Sequence, residues 1–159
     1  MMYSTNCSPS RDQLITWQQD MLYTQQQYKQ FSSLSSKMIE KGIANNDHRI
    51  RLAALLAAGD KRLPMRGIYL ETLLDTNALV RQAGRRNLII LSAVHLNPES
   101  DWITLARKNK LKFVDFGPPP CCKLEEAQAS KELWTTWFEE ELPKSPLLKP
   151  LDKTKFIPQ

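Results

Sequence analysis

Glycine is scarce in this chain, five among 159 residues. An all-β domain needs a turn about every 8–12 residues, and glycine supplies the positive φ that the tightest turns require. So few glycines, with little β-branched alternation, exclude a fold built from sheets. Cysteine is scarcer still and odd in number: Cys7, Cys121 and Cys122. Adjacent cysteines seldom bridge each other, so no disulfide scaffold is expected, and a reduced, cytoplasmic setting is the simpler reading. Only two histidines occur, His48 and His95. Zinc sites use Cys-x-x-Cys or His-x-x-x-His spacings, because one turn must present two ligands to one ion, and covalent haem needs Cys-x-x-Cys-His. Neither pattern is present, and no metal or other cofactor is expected. No apolar run approaches the ~18 residues of a membrane span. Residues 1–10 lack a basic stretch followed by an apolar one, so the chain reads as soluble and not exported.

Leu, Ala, Gln, Lys, Arg and Glu dominate, and these are helix formers. The formal net charge of +5 is unevenly placed. Residues 47–92 hold eight basic and four acidic side chains, a net +4. That balance favours an acidic partner but falls below the density of a dedicated nucleic-acid arm.

Ser10 and Gln13 have capping-box spacing, which starts a helix near residue 11. Apolar residues then recur at Leu14, Trp17, Met21, Tyr28, Phe31, Leu34 and Met38. One long helix or two shorter ones fit residues 11–41, with Gly42 as a C-cap. Helices are predicted over about 48–58, over a segment with Pro64 early in the helix and Met65 to Leu73 on its face, and from Val80 to about Ser92. Asn97-Pro98 predicts an N-cap and a short helix over 98–109. Gly117-Pro118-Pro119-Pro120 is a stiff turn, followed by a helix over about 122–142. The predicted organisation is a disordered N-terminus over 1–10, a helical domain over 11–142, and a Pro-rich extended or disordered arm over 143–159.

Inside this helical pattern a short segment repeats. Ile50-Arg51-Leu52-Ala53-Ala54 returns thirty residues later as Val80-Arg81-Gln82-Ala83-Gly84, with Asp47 and Asp75 just upstream. Both copies read β-branched–Arg–x–Ala–small. Self-similarity at such a period is the signature of stacked supersecondary units. The stretch Leu63 to Ser92, with Pro64, Asp75, Val80, Arg81 and Ala83, resembles a HEAT-type repeat, and Asp47, Ile50, Arg51 and Ala53 match it in the preceding copy. The period resembles the short bacterial, bilin-lyase-like HEAT class. Val114-Asp115-Phe116-Gly117-Pro118 and the Trp134-x-x-Trp137 helix resemble the end of some bacterial HEAT-repeat proteins. The resemblance covers roughly residues 45–140. It implies an all-α fold: a short HEAT-like stack of helical hairpins, flanked by an N-terminal helix and a C-terminal capping helix. It further implies that the Asp and Arg of each unit link neighbouring turns along the stack.

No constellation supports catalysis. Asp115-Phe116-Gly117 spells a kinase magnesium motif, but the glycine-rich loop, strand lysine and H-R-D loop that must accompany it are missing. Glu125, Glu126 and Glu139 to Glu141 form runs suited to a solvated helix face, not paired acid–base groups. The chain is expected not to be an enzyme. Two surfaces remain. Arg51, Arg81, Arg85 and Arg86 either form a ridge that meets a partner or serve as ion pairs and solvated groups. Trp17, on the Gln-rich first helix, either packs on the repeats or meets a partner helix or second copy. The expected function is a non-catalytic protein-interaction module, a scaffold or adaptor, with these five residues at the partner surface. A nucleic-acid-binding protein using the arginine ridge is the alternative.

Overall fold

The computed structural model describes residues 10–98, 101–141 and 143. Among them are seven helices and no strand: α1 (Arg11–Phe31), α2 (Ser36–Ile43), α3 (His48–Asp60), α4 (Arg66–Thr72), α5 (Ala78–Leu96), α6 (Trp102–Arg107) and α7 (Leu124–Glu141). The all-α expectation is met. The segments expected to be loose, 1–10 and 143–159, lie outside the described residues except for Ser10, which caps α1, and Pro143.

The stretch over 11–41 is two helices. Ser10 and Gln13 form the expected capping box at the start of α1. Ser35 then caps α2, its side chain accepting from the Met38 N–H. Gly42 is not a C-cap but lies inside α2, and its reason is space. A Cβ there would sit 2.5 Å from the Phe31 ring and 2.9 Å from the Ala54 Cβ. Asn97-Pro98 does not open a helix either. Asn97 ends α5, its amide donating to the Ala93 and Lys112 carbonyls, and α6 starts four residues later on Asp101. A side chain that caps an N-terminus can equally tie down a C-terminal turn, and here the incoming segment at Lys112 decides the matter.

Helices α2 and α3 pack as a pair, as do α4 and α5. The second helices, α3 and α5, pack on each other, and α1 packs on the other side of α3. Contacts give the directions. Asp20 of α1 meets His48 at the start of α3, and Tyr28 meets Asp60 at its end. Asn87 of α5 donates to the Leu55 carbonyl of α3 at 2.7 Å. The three helices therefore run the same way. Between the layers lies one core that includes Ile39, Leu55, Tyr69, Leu73, Val80 and Leu88, all fully buried.

Helix α7 packs on α4 and closes this core. Trp134 and Phe138 are buried in it with rings stacked 5.9 Å apart, and Phe116 meets Trp134 edge-on at 5.0 Å. The Trp134 indole N–H donates to the Gly117 carbonyl at 2.9 Å. Gly117 has φ of +76°, which a side-chain-bearing residue rarely adopts, so the glycine is what lets the Pro-rich turn present that carbonyl. Trp134 and Phe138 are thus buried, and Phe116 of Asp115-Phe116-Gly117 packs inward against the core.

Candidate interaction surface

The two turns that precede α3 and α5 superpose residue for residue at a spacing of thirty. Asp47 and Asn77 are the N-caps, their side chains accepting from the Arg49 N–H and from the Leu79 and Val80 N–H groups. Two residues before each cap, Asn45 and Asp75 accept from the N–H of Asp47 and Asn77, at 2.8 and 2.9 Å. Arg51 donates to the carbonyls of Asn45 and Asn46, and Arg81 to those of Asp75 and Thr76. The equivalence is therefore Asn45 with Asp75 and Asp47 with Asn77. The upstream pairing of Asp47 with Asp75 in the sequence is out by two residues. Asn and Asp accept equally well at caps and Asx turns, so identity alone misled the alignment.

Asp75 has a role that Asn45 does not. Arg51 Nε and Nη2 each donate to one of its carboxylate oxygens at 2.9 Å. The pair is bidentate and joins the first helix pair to the turn of the second. Both side chains are less than one-fifth exposed. Arg51 thus spends its guanidinium on four bonds within the fold.

The remaining candidate arginines are also engaged. Arg81 is 3 % exposed, under the turn it hydrogen-bonds. Arg85 grips Asp115 with two bonds and also reaches the Pro118 carbonyl, tying α5 to the Pro-rich turn. The Arg85 guanidinium holds the Asp115 carboxyl below its ordinary range, reinforced by the Gly117 N–H, and Asp115 in turn raises Arg85. Arg86 pairs with Asp60, whose other oxygen accepts the Tyr28 hydroxyl. That hydrogen bond to a carboxylate, with burial, raises the Tyr28 phenol. Asp60 consequently joins α1, α3 and α5. Arg49 pairs with Asp47 and holds that carboxyl down at about 2, while its guanidinium lies 4.1 Å over the Tyr23 ring. The four candidate arginines are spread over three separate linkages.

Trp17 stands apart from all of these. Residues 11–19 of α1 are exposed without interruption, and the helix reaches the body only at Asp20. Along this overhang Leu14, Ile15 and Trp17 are 47 %, 43 % and 37 % exposed, and Leu22 is 63 % exposed just beyond. At 100° per residue these side chains, with Met21, fall on one side of the helix. The sequence left open whether this helix packs on the body or faces a partner, and only its C-terminal half packs on the body. The C-terminal half carries Met21, Tyr28 and Phe31 against the core.

A second surface has no counterpart in the sequence reading. The first helices, α2 and α4, do not pack closely on one another. Between them is a groove of about 540 Å³. Ile43, Ala44, Gly67 and Ile68 make it apolar, and Glu40, Glu71 and Asp75 line it with carboxylates. Three acids gather there in a chain of net charge +5, two of them, Asp75 and Glu71, paired with Arg51 and Lys131. They come from two helices and a turn, so no run of sequence displays them together.

Among the described residues no cluster of metal-ligating side chains occurs, and no helix is long and apolar enough to cross a membrane. Cys122 is a free, fully buried thiol beside Ala127, whereas Cys121 is disulfide-bonded. The adjacent pair does not bridge itself, as expected, but the expectation of reduced thiols throughout is corrected. Neighbouring side chains point apart, so burial of one leaves the other available. Compared with protein-family models, with curated proteins and with solved structures, the chain matches none.

Proposed function

We propose that this chain is a non-catalytic protein-interaction module, a scaffold or adaptor built on HEAT-like helix pairs, and that the overhanging half of α1 is its partner surface. The observation that carries this reading is the continuous exposure of residues 11–19 with Leu14, Ile15 and Trp17 on one side. A helix only two to three turns long is marginal in water without tertiary support. Its apolar side chains gain stability only by being covered, and tryptophan in such a position is the residue type that most often dominates an interface. The partner chemistry is an apolar helix face, contributed by another protein or by a second copy.

The HEAT-like part of the reading is supported by the thirty-residue equivalence of the two turns and by the Arg51–Asp75 link between them. The arginines enter this reading as structural ties. That weighs against the alternative, nucleic-acid binding through an arginine ridge, because a phosphate would have to displace an internal carboxylate from Arg51, Arg85 or Arg86.

The test compares the full chain with Trp17→Glu. Trp17 is not among the side chains packed on the core, so the variant should melt as the parent does. Sedimentation velocity over a concentration series reads self-association, and affinity capture with quantitative mass spectrometry reads other partners. Both should be lost or reduced at least tenfold in the variant. Undiminished association would refute the surface. Duplex binding that falls steeply between ~50 and ~200 mM salt would favour the alternative.

A further inference from the structure

The groove between α2 and α4 is separate from the α1 overhang and has its own chemistry. Its walls are Ile43, Ala44 and Ile68, and its acids are Glu40, Glu71 and Asp75. Asp75 is committed to Arg51, and Glu71 gives one oxygen to Lys131 while its side chain stays 70 % exposed. Glu40 is exposed and has no ion-pair partner among the described residues. A ligand suited to this groove is extended, apolar on one side and positively charged on the other.

The chain contains such a segment. Residues 144–159 carry Lys144, Lys149, Lys153 and Lys155 against one acid, Asp152. Leu147, Leu148, Leu151, Phe156 and Ile157 alternate with them. Pro146 and Pro150 favour an extended backbone that needs no strand partner, which fits a groove between helices with no strand edge. Position also agrees. Phe138, three residues before the end of α7, lies under the Arg66 guanidinium at 5.9 Å, so α7 ends beside the start of α4. The groove begins there, at Gly67. A chain crossing the start of α4 meets open space, because nothing lies within 4 Å of where a Gly67 Cβ would be. Sixteen extended residues reach roughly 50 Å, several times the length of α4.

We propose that residues 144–159 are an internal ligand of the α2–α4 groove, bound in cis by their own chain, with lysines on Glu40 and Glu71 and leucines against Ile43 and Ile68. The segment then acts as an occupant that an external basic, apolar peptide would have to displace.

Zero-length carbodiimide crosslinking of the full chain, followed by peptide mapping, tests this. Lys131 and Glu71 are 2.7 Å apart and supply the positive control. Links from Lys149 or Lys153 to Glu40 or Glu71 should appear in the monomer. Gly67→Phe puts a ring into the open space beside Gly67, and should reduce those links at least fivefold while leaving Lys131–Glu71 intact. An equal mixture of ¹⁵N-labelled and unlabelled chains identifies the donor, and only links within one isotopic species are expected. Absence of the tail links beside a normal control, persistence in Gly67→Phe, or mixed-isotope links would each overturn the proposal, the last by making a second copy the occupant.

Discussion

Replacing Gly84 by alanine tests how closely the second helix pair is packed. A Cβ at Gly84 would lie 2.0 Å from Thr72 Oγ1, 3.1 Å from Thr72 Cβ and 3.2 Å from the Tyr69 carbonyl oxygen. The hydroxyl cannot turn away freely. It is buried and donates to that same Tyr69 carbonyl at 2.7 Å. Either the hydroxyl loses its partner or α4 moves off α5. An unpaired buried hydroxyl costs about 1–3 kcal/mol, and overpacking costs a similar ~1–3 kcal/mol. Alanine in a helix interior returns about 1 kcal/mol over glycine. The net expectation is a loss of about 1 kcal/mol and at most about 2 kcal/mol, which for a chain of this size lowers Tm by about 2–8 °C.

Circular dichroism melts and urea titrations of Gly84→Ala, Thr72→Ala and the double variant measure it. With Thr72→Ala the 2.0 Å clash is gone, and the remaining neighbours need yield only a few tenths of an ångström. The cost of Gly84→Ala should therefore shrink to under about 1 kcal/mol in that background, a coupling that contact predicts. A Gly84→Ala variant as stable as the parent, or one equally destabilised in both backgrounds, would refute the packing argument.

Gly67 supplies the opposite case: with open space around it, Gly67→Ala should raise stability by about 0.4–1 kcal/mol in the same melts, and a loss would show the groove is tighter than the geometry states. For the link between the helix pairs, a double-mutant cycle on Arg51→Ala and Asp75→Ala should return a coupling of about 1.5–3 kcal/mol, as hydrogen bonds between charged groups do; a value near zero would mean the bidentate pair contributes nothing. Acid should destabilise the chain through Asp47 and Asp115, whose carboxyls are held below their unfolded values by Arg49 and Arg85. Their contribution is complete above about pH 4 and is lost as the pH falls, for Asp47 down through about 2. A Tm that stays flat from pH 5 to pH 2 would contradict this.

What the sequence disclosed was whatever local chemistry specifies alone. The Ser10–Gln13 box fixes a helix start from four residues, and the return of β-branched–Arg–x–Ala–small places α3 and α5 thirty residues apart. The final position of that pattern proved the most physical. Ala54 faces Gly42, and Gly84 faces Thr72 and the Tyr69 carbonyl, so smallness marks where the second helix of each pair crosses the first. What stayed hidden depends on which partner a group finds across the fold. Asp47 and Asp75 look alike in sequence, yet one caps a helix and the other holds Arg51 from the neighbouring pair. The arginines looked like a ridge because their acids, Asp60, Asp75 and Asp115, lie 24 to 30 residues away along the chain. The groove was invisible for the complementary reason. It exists because α2 and α4, only 8 and 7 residues long, do not close on each other and because Gly67 puts nothing between them. A gap is made by contacts that fail to form, and no periodicity records those. The overhang of α1 differs in kind, since its apolar stripe and the extent of α3 were both legible and only the meeting of Asp20 with His48, which sets how far α1 projects, was not. An apolar stripe in sequence therefore shows what a helix must bury, while the register against the neighbouring helix decides how much of that burial is left undone.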